Sequence, residues 1–227
     1  MSMEKNVDEI LQNIKEACEK SNRSQDEITL IAVTKTVDVD AMIEARKLDL
    51  KNFGENKPQE LVRKFDFFDE EIRWHMIGHL QRNKVKYIID KVELIHSLDN
   101  MKLAEEIQKQ SVKHDKVMDV LIEINIGNEI SKHGISPDEL FDFVDKVKEL
   151  KNIRIKGLMT VAPYMIDAEE VRPYMKKMKS LFDQLKAIEG DCIDTLSMGM
   201  SNDYKIAIEE GATMVRIGSS IFGERIY

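Results

Sequence analysis

Eight short apolar runs, each separated from the next by a longer segment with one apolar face, restrict the fold of this chain more than any other feature. The runs fall at 28–35, 52–55, 73–77, 93–98, 118–125, 153–160, 195–199 and 213–217. Helical patterns lie between them, at about 38–49, 57–68, 81–90, 100–114, 137–150, 169–188 and 202–210. In the sixth of these, Val171, Met175, Met178, Phe182 and Leu185 step by four, three, four and three, the spacing of one helix face. Strict alternation of strand and helix implies parallel strands joined by right-handed crossovers. Eight such units predict a closed (β/α)8 barrel. An open doubly wound sheet is the alternative, but no G-x-G-x-x-G turn follows the first strand.

Ahead of the first run, Val7, Ile10, Leu11, Ile14, Ala17 and Cys18 form an apolar stripe, so an extra N-terminal helix is expected within residues 1–22. No linker or low-complexity stretch interrupts the 227 residues, and a single domain over 1–227 is the simplest organisation. No apolar stretch approaches the roughly 20 residues of a membrane helix. The net charge is −8 and no segment concentrates Lys and Arg without interleaved acids, which argues against a nucleic-acid partner. Cys18 and Cys192 lie in unrelated segments, suggesting neither a disulfide framework nor a metal site. The expected location is the cytoplasm.

In a parallel barrel the reactive end is where the strands finish. Reading those ends collects Lys35, Asn56, His79, Asn125, Thr160, the run Ser197-Met198-Gly199-Met200-Ser201 and the run Arg216-Ile217-Gly218-Ser219-Ser220. Lys35 closes the first run. Burying a lysine there disfavours its charged form and leaves a nucleophilic amine, the requirement for a Schiff-base lysine. The plain alternative is an ammonium in water just beyond the strand. Ile31, Val33 and Lys35 share one strand face, so an inward-facing set projects the amine over the barrel mouth.

Loops after the seventh and eighth strands of such barrels often bind phosphate through backbone N–H groups. Gly199-Met200-Ser201-Asn202-Asp203 and Gly218-Ser219-Ser220 stand in those two places, although a helix cap and a tight turn would use the same residues. Arg216 shares a face with Gly218, which places its guanidinium in the upper barrel, where it needs an acceptor. A core carboxylate or a ring nitrogen of a bound heteroaromatic would serve.

The five histidines include no H-E-x-x-H pair, and no carboxylate cluster stands at metal-ligand spacing. His79 alone lies at a strand end. His75 reads as structural, and His96, His114 and His133 have no assigned role.

The strings Ala32-Val33-Thr34-Lys35, Phe53-Gly54-Glu55-Asn56 with Gln59-Glu60, His75-Met76-Ile77-Gly78-His79-Leu80-Gln81-Arg82-Asn83-Lys84, Gly157-Leu158-Met159-Thr160, Leu196-Ser197-Met198-Gly199-Met200-Ser201-Asn202-Asp203 and Val215-Arg216-Ile217-Gly218-Ser219-Ser220-Ile221-Phe222-Gly223 resemble the pyridoxal phosphate homeostasis protein family. The resemblance runs from about Ile28 to Gly223. It implies a barrel similar to the N-terminal domain of alanine racemase, holding pyridoxal 5′-phosphate (PLP). By the same resemblance Lys35 matches the Schiff-base lysine and Arg216 the arginine beside the pyridine nitrogen. Ser201, Gly218 and Ser219 match the phosphate loops, and Asn56 and Met198 match ring-side positions. His79 joins this cofactor-binding set as the histidine at the third strand end. Lys132 and Gly134 match a lysine-x-glycine loop, with His133 between them.

An arginine against the pyridine nitrogen cannot take up the ring proton, so carbanion chemistry is weakened while imine exchange at Lys35 is not. Alanine racemases draw their second acid/base from an added β-domain, for which a chain ending at Tyr227 leaves no room. Tyr164 is the tyrosine expected near the mouth. The expected function is therefore to hold, protect or deliver PLP, with PLP-dependent apo-enzymes as recipients, little turnover and a monomeric state. An amino-acid racemase is the runner-up. A lysine-dependent aldolase or other phosphosugar barrel enzyme is a third reading.

Overall fold

The computed structural model describes residues 2–68 and 71–223. Eight strands, β1 (Thr29–Val33), β2 (Asn52–Glu55), β3 (Arg73–Met76), β4 (Leu94–Leu98), β5 (Met118–Glu123), β6 (Ile153–Met159), β7 (Thr195–Ser197) and β8 (Met214–Ile217), pair in sequence order into a closed barrel. Every pairing is parallel, including the closing one, in which Ile31 stands beside Arg216. The helices are α1 (Met3–Lys20), α2 (Val39–Lys47), α3 (Pro58–Phe65), α4 (Met101–Lys113), α5 (Leu140–Lys148), α6 (Arg172–Glu189), α7 (Tyr204–Glu209) and α8 (Ser219–Phe222).

Sequence and structure agree on the number and order of strands and differ at their ends. Strand 1 stops at Val33, two residues short of Lys35, because Thr36 adopts φ of 62° and turns the chain away. The segment 81–90 is not an α-helix; Arg82–Tyr87 form a 3₁₀ helix. The helices expected at 137–150 and 169–188 each begin with a 3₁₀ turn, at Pro137–Glu139 and Ala168–Val171. Side-chain caps start two others: Asp38 accepts from the Ala41 N–H at 2.8 Å, and Asn100 from Leu103 at 2.9 Å.

Two apolar layers hold the barrel. Inside it Ile31, Leu94, Leu121, Met159 and Met214 pack together. Outside it the opposite strand faces meet the helices, and Val171, Met175, Met178, Phe182 and Leu185 of the α6 region are all buried there. Each buried aliphatic or methionine side chain contributes roughly 1.5–3 kcal/mol relative to exposure. Helix α1 covers α7 and α8 through Val7, Ile10, Ile14, Ala17 and Cys18, while Leu11 falls on the exposed edge of its stripe.

Candidate functional site at the barrel mouth

The strand C-termini open on a cleft of about 830 Å³. Six of the residues expected to form a site line it together: Lys35, Asn56, Ser201, Arg216, Gly218 and Ser219. Met198 is fully buried in the core, and His79 stands to one side, stacked on His133. Lys132 and Tyr164 also line the cleft, Tyr164 at 79% exposure.

Lys35 lies half-buried in a turn that is clamped from both sides. On one side the Thr34 carbonyl accepts from Lys64 Nζ at 2.8 Å, and the Thr34 hydroxyl donates to Glu55 Oε1 at 2.7 Å. On the other the Thr36 N–H donates to Glu60 Oε2 at 2.8 Å. Lys64 and Glu55, 2.7 Å apart and both essentially inaccessible to solvent, form the centre of this clamp. Burial pushes the Glu55 carboxyl up from its ordinary value, against the opposing pull of Lys64 and the Thr34 hydroxyl. Glu60 stays below its usual range: burial acts against this, but the Thr36 N–H and the Lys64 charge outweigh it. Sequence reading missed Lys64, yet it steps three residues from Leu61 and four from Phe68, on the apolar face. Asn56 is set by Gly78, since a Cβ there would lie 2.6 Å from the Asn56 carbonyl oxygen.

The far wall carries small donors. Ser201 and Ser219 place their hydroxyl oxygens 3.1 Å apart, and the Gly218 N–H points at Ser201 Oγ from 3.4 Å. Gly199 adopts φ of +93°, and a Cβ there would lie 2.5 Å from the Ala207 Cβ, so only glycine lets this turn close on α7. Asp203 fixes the turn by accepting from the Met200 N–H at 2.6 Å. Two hydroxyls and a backbone N–H converging on one spot suit a phosphoryl group.

Arg216 forms the floor at 4% exposure, its two terminal nitrogens donating to Ser197 Oγ (2.6 Å) and the Thr160 carbonyl (2.8 Å). Burial lowers its pKa to about 10, with Asp203 and Glu123 opposing the shift, so it remains a cation at neutral pH. Behind it runs a buried polar chain that the sequence did not reveal. Ser197 Oγ meets His96 Nδ1 at 3.1 Å, His96 Nε2 meets His75 Nδ1 at 3.2 Å, and His75 Nε2 meets Asn52 Oδ1 at 3.3 Å.

Burial takes the His75 pKa down to about 3 and that of His96 well below its usual value, so both rings are neutral. An amide oxygen only accepts, so His75 carries its proton on Nε2. His96 then donates through Nε2, and Ser197 donates to His96 while accepting from Arg216. Each partner is used once, and the guanidinium is held in one orientation. Near it Glu123 ends β5, 9% exposed, with Oε2 unpartnered among the described residues. Burial first, and the Asp99 charge second, push its pKa up to about 7. Asn125 and Thr160 serve the loops: Asn125 brackets the Glu129 backbone, and Thr160 Oγ1 donates to the Ile124 carbonyl.

Residues 6–226 match the family described as alanine racemase, N-terminal domain. The pyridoxal phosphate homeostasis protein of Aquifex aeolicus is 46% identical over 219 residues, covering 96% of this chain and 96% of that protein. The chain belongs to the pyridoxal phosphate homeostasis protein family. The Escherichia coli K12 protein of the same name is 39% identical over 229 residues, covering 98% and 96% of the two chains. The structure of PipY from Synechococcus elongatus PCC7942, with PLP bound, aligns with a TM-score of 0.80 at 28% identity, covering 92% of this chain and all of that one. An alanine racemase of Clostridium difficile aligns at a TM-score of 0.74 and 17% identity over 58% of its length, a likeness of fold alone. Among the described residues no helix is long and apolar enough to cross a membrane.

Proposed function

We propose that this chain binds pyridoxal 5′-phosphate through Lys35 and serves intracellular PLP homeostasis by storing, protecting or delivering the cofactor. The observation that carries the reading is one cleft that presents a half-buried primary amine, a pair of serine hydroxyls with a backbone N–H, and a buried arginine. When bound, PLP supplies an aldehyde that condenses reversibly with a primary amine and a pyridine ring that acts as an electron sink once its nitrogen is protonated.

The residues divide that task. Lys35 offers the amine from a turn held by Glu60 and the Lys64–Glu55 pair. Ser201, Gly218 and Ser219 would offer donors for the phosphate, and Asn56, on the cleft wall, would flank the ring. Arg216 offers donors only, so it would have no site for a pyridine proton and would leave a bound ring weakly electron-withdrawing. That selects capture and release of the cofactor over carbanion chemistry. A racemase would need a second acid/base across the cleft, and Tyr164, the tyrosine on its rim, is largely in solvent.

In this reading the chain acts as a cytoplasmic monomer and passes PLP to apo-enzymes. The test is the visible absorbance of purified protein incubated with PLP. Wild type gains it and Lys35→Ala does not, while Ser201→Ala/Ser219→Ala loses the preference for PLP over unphosphorylated pyridoxal. A wild type that takes up no PLP would end the proposal. Recovery of activity by a PLP-free aminotransferase tests delivery.

A further inference from the structure

Beside the cleft, three successive parallel strands bring together side chains that sequence spacing does not connect. His79 follows β3 by three residues, Asp99 directly follows β4, and His133 sits in the loop after β5. One donor atom from each lies within 4.8 Å of the other two. His79 Nδ1 is 3.7 Å and His133 Nδ1 is 3.9 Å from the same oxygen, Asp99 Oδ2. Both distances are too long for hydrogen bonds. The imidazoles stack at 3.8 Å between centroids and 11° between planes, with both Nδ1 atoms beside the carboxylate.

We propose that His79, Asp99 and His133 bind one divalent transition-metal ion of the zinc class at the rim of the barrel mouth. Two imidazoles and a carboxylate are the nitrogen and oxygen donors that such ions prefer, and three protein ligands leave positions for water. Ligands about 2.0–2.1 Å from a tetrahedral ion stand about 3.3 Å apart, so the two histidine–Asp99 spacings need to contract by about half an ångström. The two rings, 38% and 55% exposed at their side chains, would turn from stacked to convergent around the ion.

The carboxylate is already aimed. Asp99, 9% exposed, accepts from Asn100 Nδ2 on Oδ1 at 2.6 Å, and Asn100 is itself fixed as the cap of α4. An outer partner that orients a ligand in this way is a regular feature of metal sites. The loop bearing His133 is also anchored, since Lys132 Nζ donates to the Ala162 carbonyl at 3.1 Å. Gly134, at φ of +106°, packs so closely that a Cβ would meet the Asn125 nitrogen at 2.6 Å. Glu123 adds a second, nearly buried carboxyl to this corner of the barrel, its Oε2 lacking a partner among the described residues. A bound ion would tie the β5–α5 loop to the ends of β3 and β4 and so brace one wall of the cleft. The site is independent of the cofactor reading, because none of its three ligands lines the cleft.

The experiment uses PLP-loaded protein freed of metal with EDTA and desalted. Zn²⁺ is titrated by calorimetry, and Co²⁺ is added separately to look for ligand-field bands at longer wavelength than the cofactor absorbance. Wild type should take up one equivalent of Zn²⁺ per chain and show Co²⁺ bands. His133→Ser should lose the bands and weaken Zn²⁺ binding by about tenfold or more, since removal of even an outer partner costs 10–100-fold. The cofactor absorbance of His133→Ser should match wild type, showing that the barrel is intact. Cys192→Ser should bind as wild type does, excluding the exposed thiol. No stoichiometric uptake, equal affinity in His133→Ser, or loss in Cys192→Ser would each overturn the proposal.

Discussion

Replacing Lys64 by methionine tests the clamp under Lys35 most severely. The Lys64 side chain is 1% exposed, and its Nζ donates to Glu55 Oε1 at 2.7 Å and to the Thr34 carbonyl at 2.8 Å, with Glu60 Oε2 at 3.4 Å. Methionine fills most of the lysine stem's volume, so the loss is electrostatic and not a cavity. Glu55, fully buried, would be left without its counter-charge, and breaking one side of a buried pair costs about 3–5 kcal/mol. Adding Glu55→Gln removes the stranded charge, and replacing both members of such a pair is often close to neutral. The double variant should therefore regain part of the lost stability. The Thr34 carbonyl still lacks its cationic donor in the double variant. Losing that charge-assisted bond, worth about 1.5–3 kcal/mol, should leave PLP affinity at Lys35 reduced by about tenfold or more. Urea denaturation followed by the fluorescence of Trp74, the chain's one tryptophan, gives the stabilities, and a PLP titration read by absorbance gives the affinities. The reasoning is refuted if Lys64→Met loses under 1 kcal/mol, if the double variant is no more stable than the single, or if both bind PLP as wild type does.

Glu123 has a folded-state pKa of about 7, above its unfolded value of 4.5, so ionising it in the fold costs stability above pH 7 and nothing below about pH 4.5. Glu123→Gln should therefore be more stable than wild type by up to about 3 kcal/mol in urea at pH 8, with the gain fading toward pH 4.5. His75 is depressed to about 3 from 6.5, so its contribution is intact above pH 6.5 and is lost as pH falls toward 3. The unfolding free energy from urea denaturation across that window should fall less steeply for His75→Gln, by up to about 1.4 kcal/mol per pH unit. Ser197→Ala removes the bridge between Arg216 and His96, and thermal melts should show a loss of about 1–3 kcal/mol accompanied by a shifted cofactor spectrum.

The strand–helix alternation carried the barrel because parallel strands buried on both faces are written as short apolar runs, and their count and order survive uncertainty at the ends. The ends were less legible. Lys35 continues the alternation of Ile31 and Val33, and nothing in the residue types marks the turn at Thr36. At 81–90 the burial of Val85, Ile88 and Ile89 was readable but the helix type was not, since over six residues periods of 3.0 and 3.6 select nearly the same face. Ser201, Gly218 and Ser219 were legible as residues of the barrel mouth because the end of the eighth strand and the turn after the seventh place them by topology. The chain from Arg216 to Asn52 was not, since its members come from β8, β7, β4, β3 and β2 and are neighbours only once the barrel closes. His79 carried a strand-end position but not its partner, which lies 54 residues downstream in a loop.

Reducing the PLP-loaded protein with borohydride and mapping the modified peptide by mass spectrometry addresses the covalent attachment most directly. A single pyridoxyl phosphate group should be fixed on Lys35, with none on Lys132 or Lys64. Stoichiometric label on another lysine, or an unmodified chain after reduction, would contradict the account.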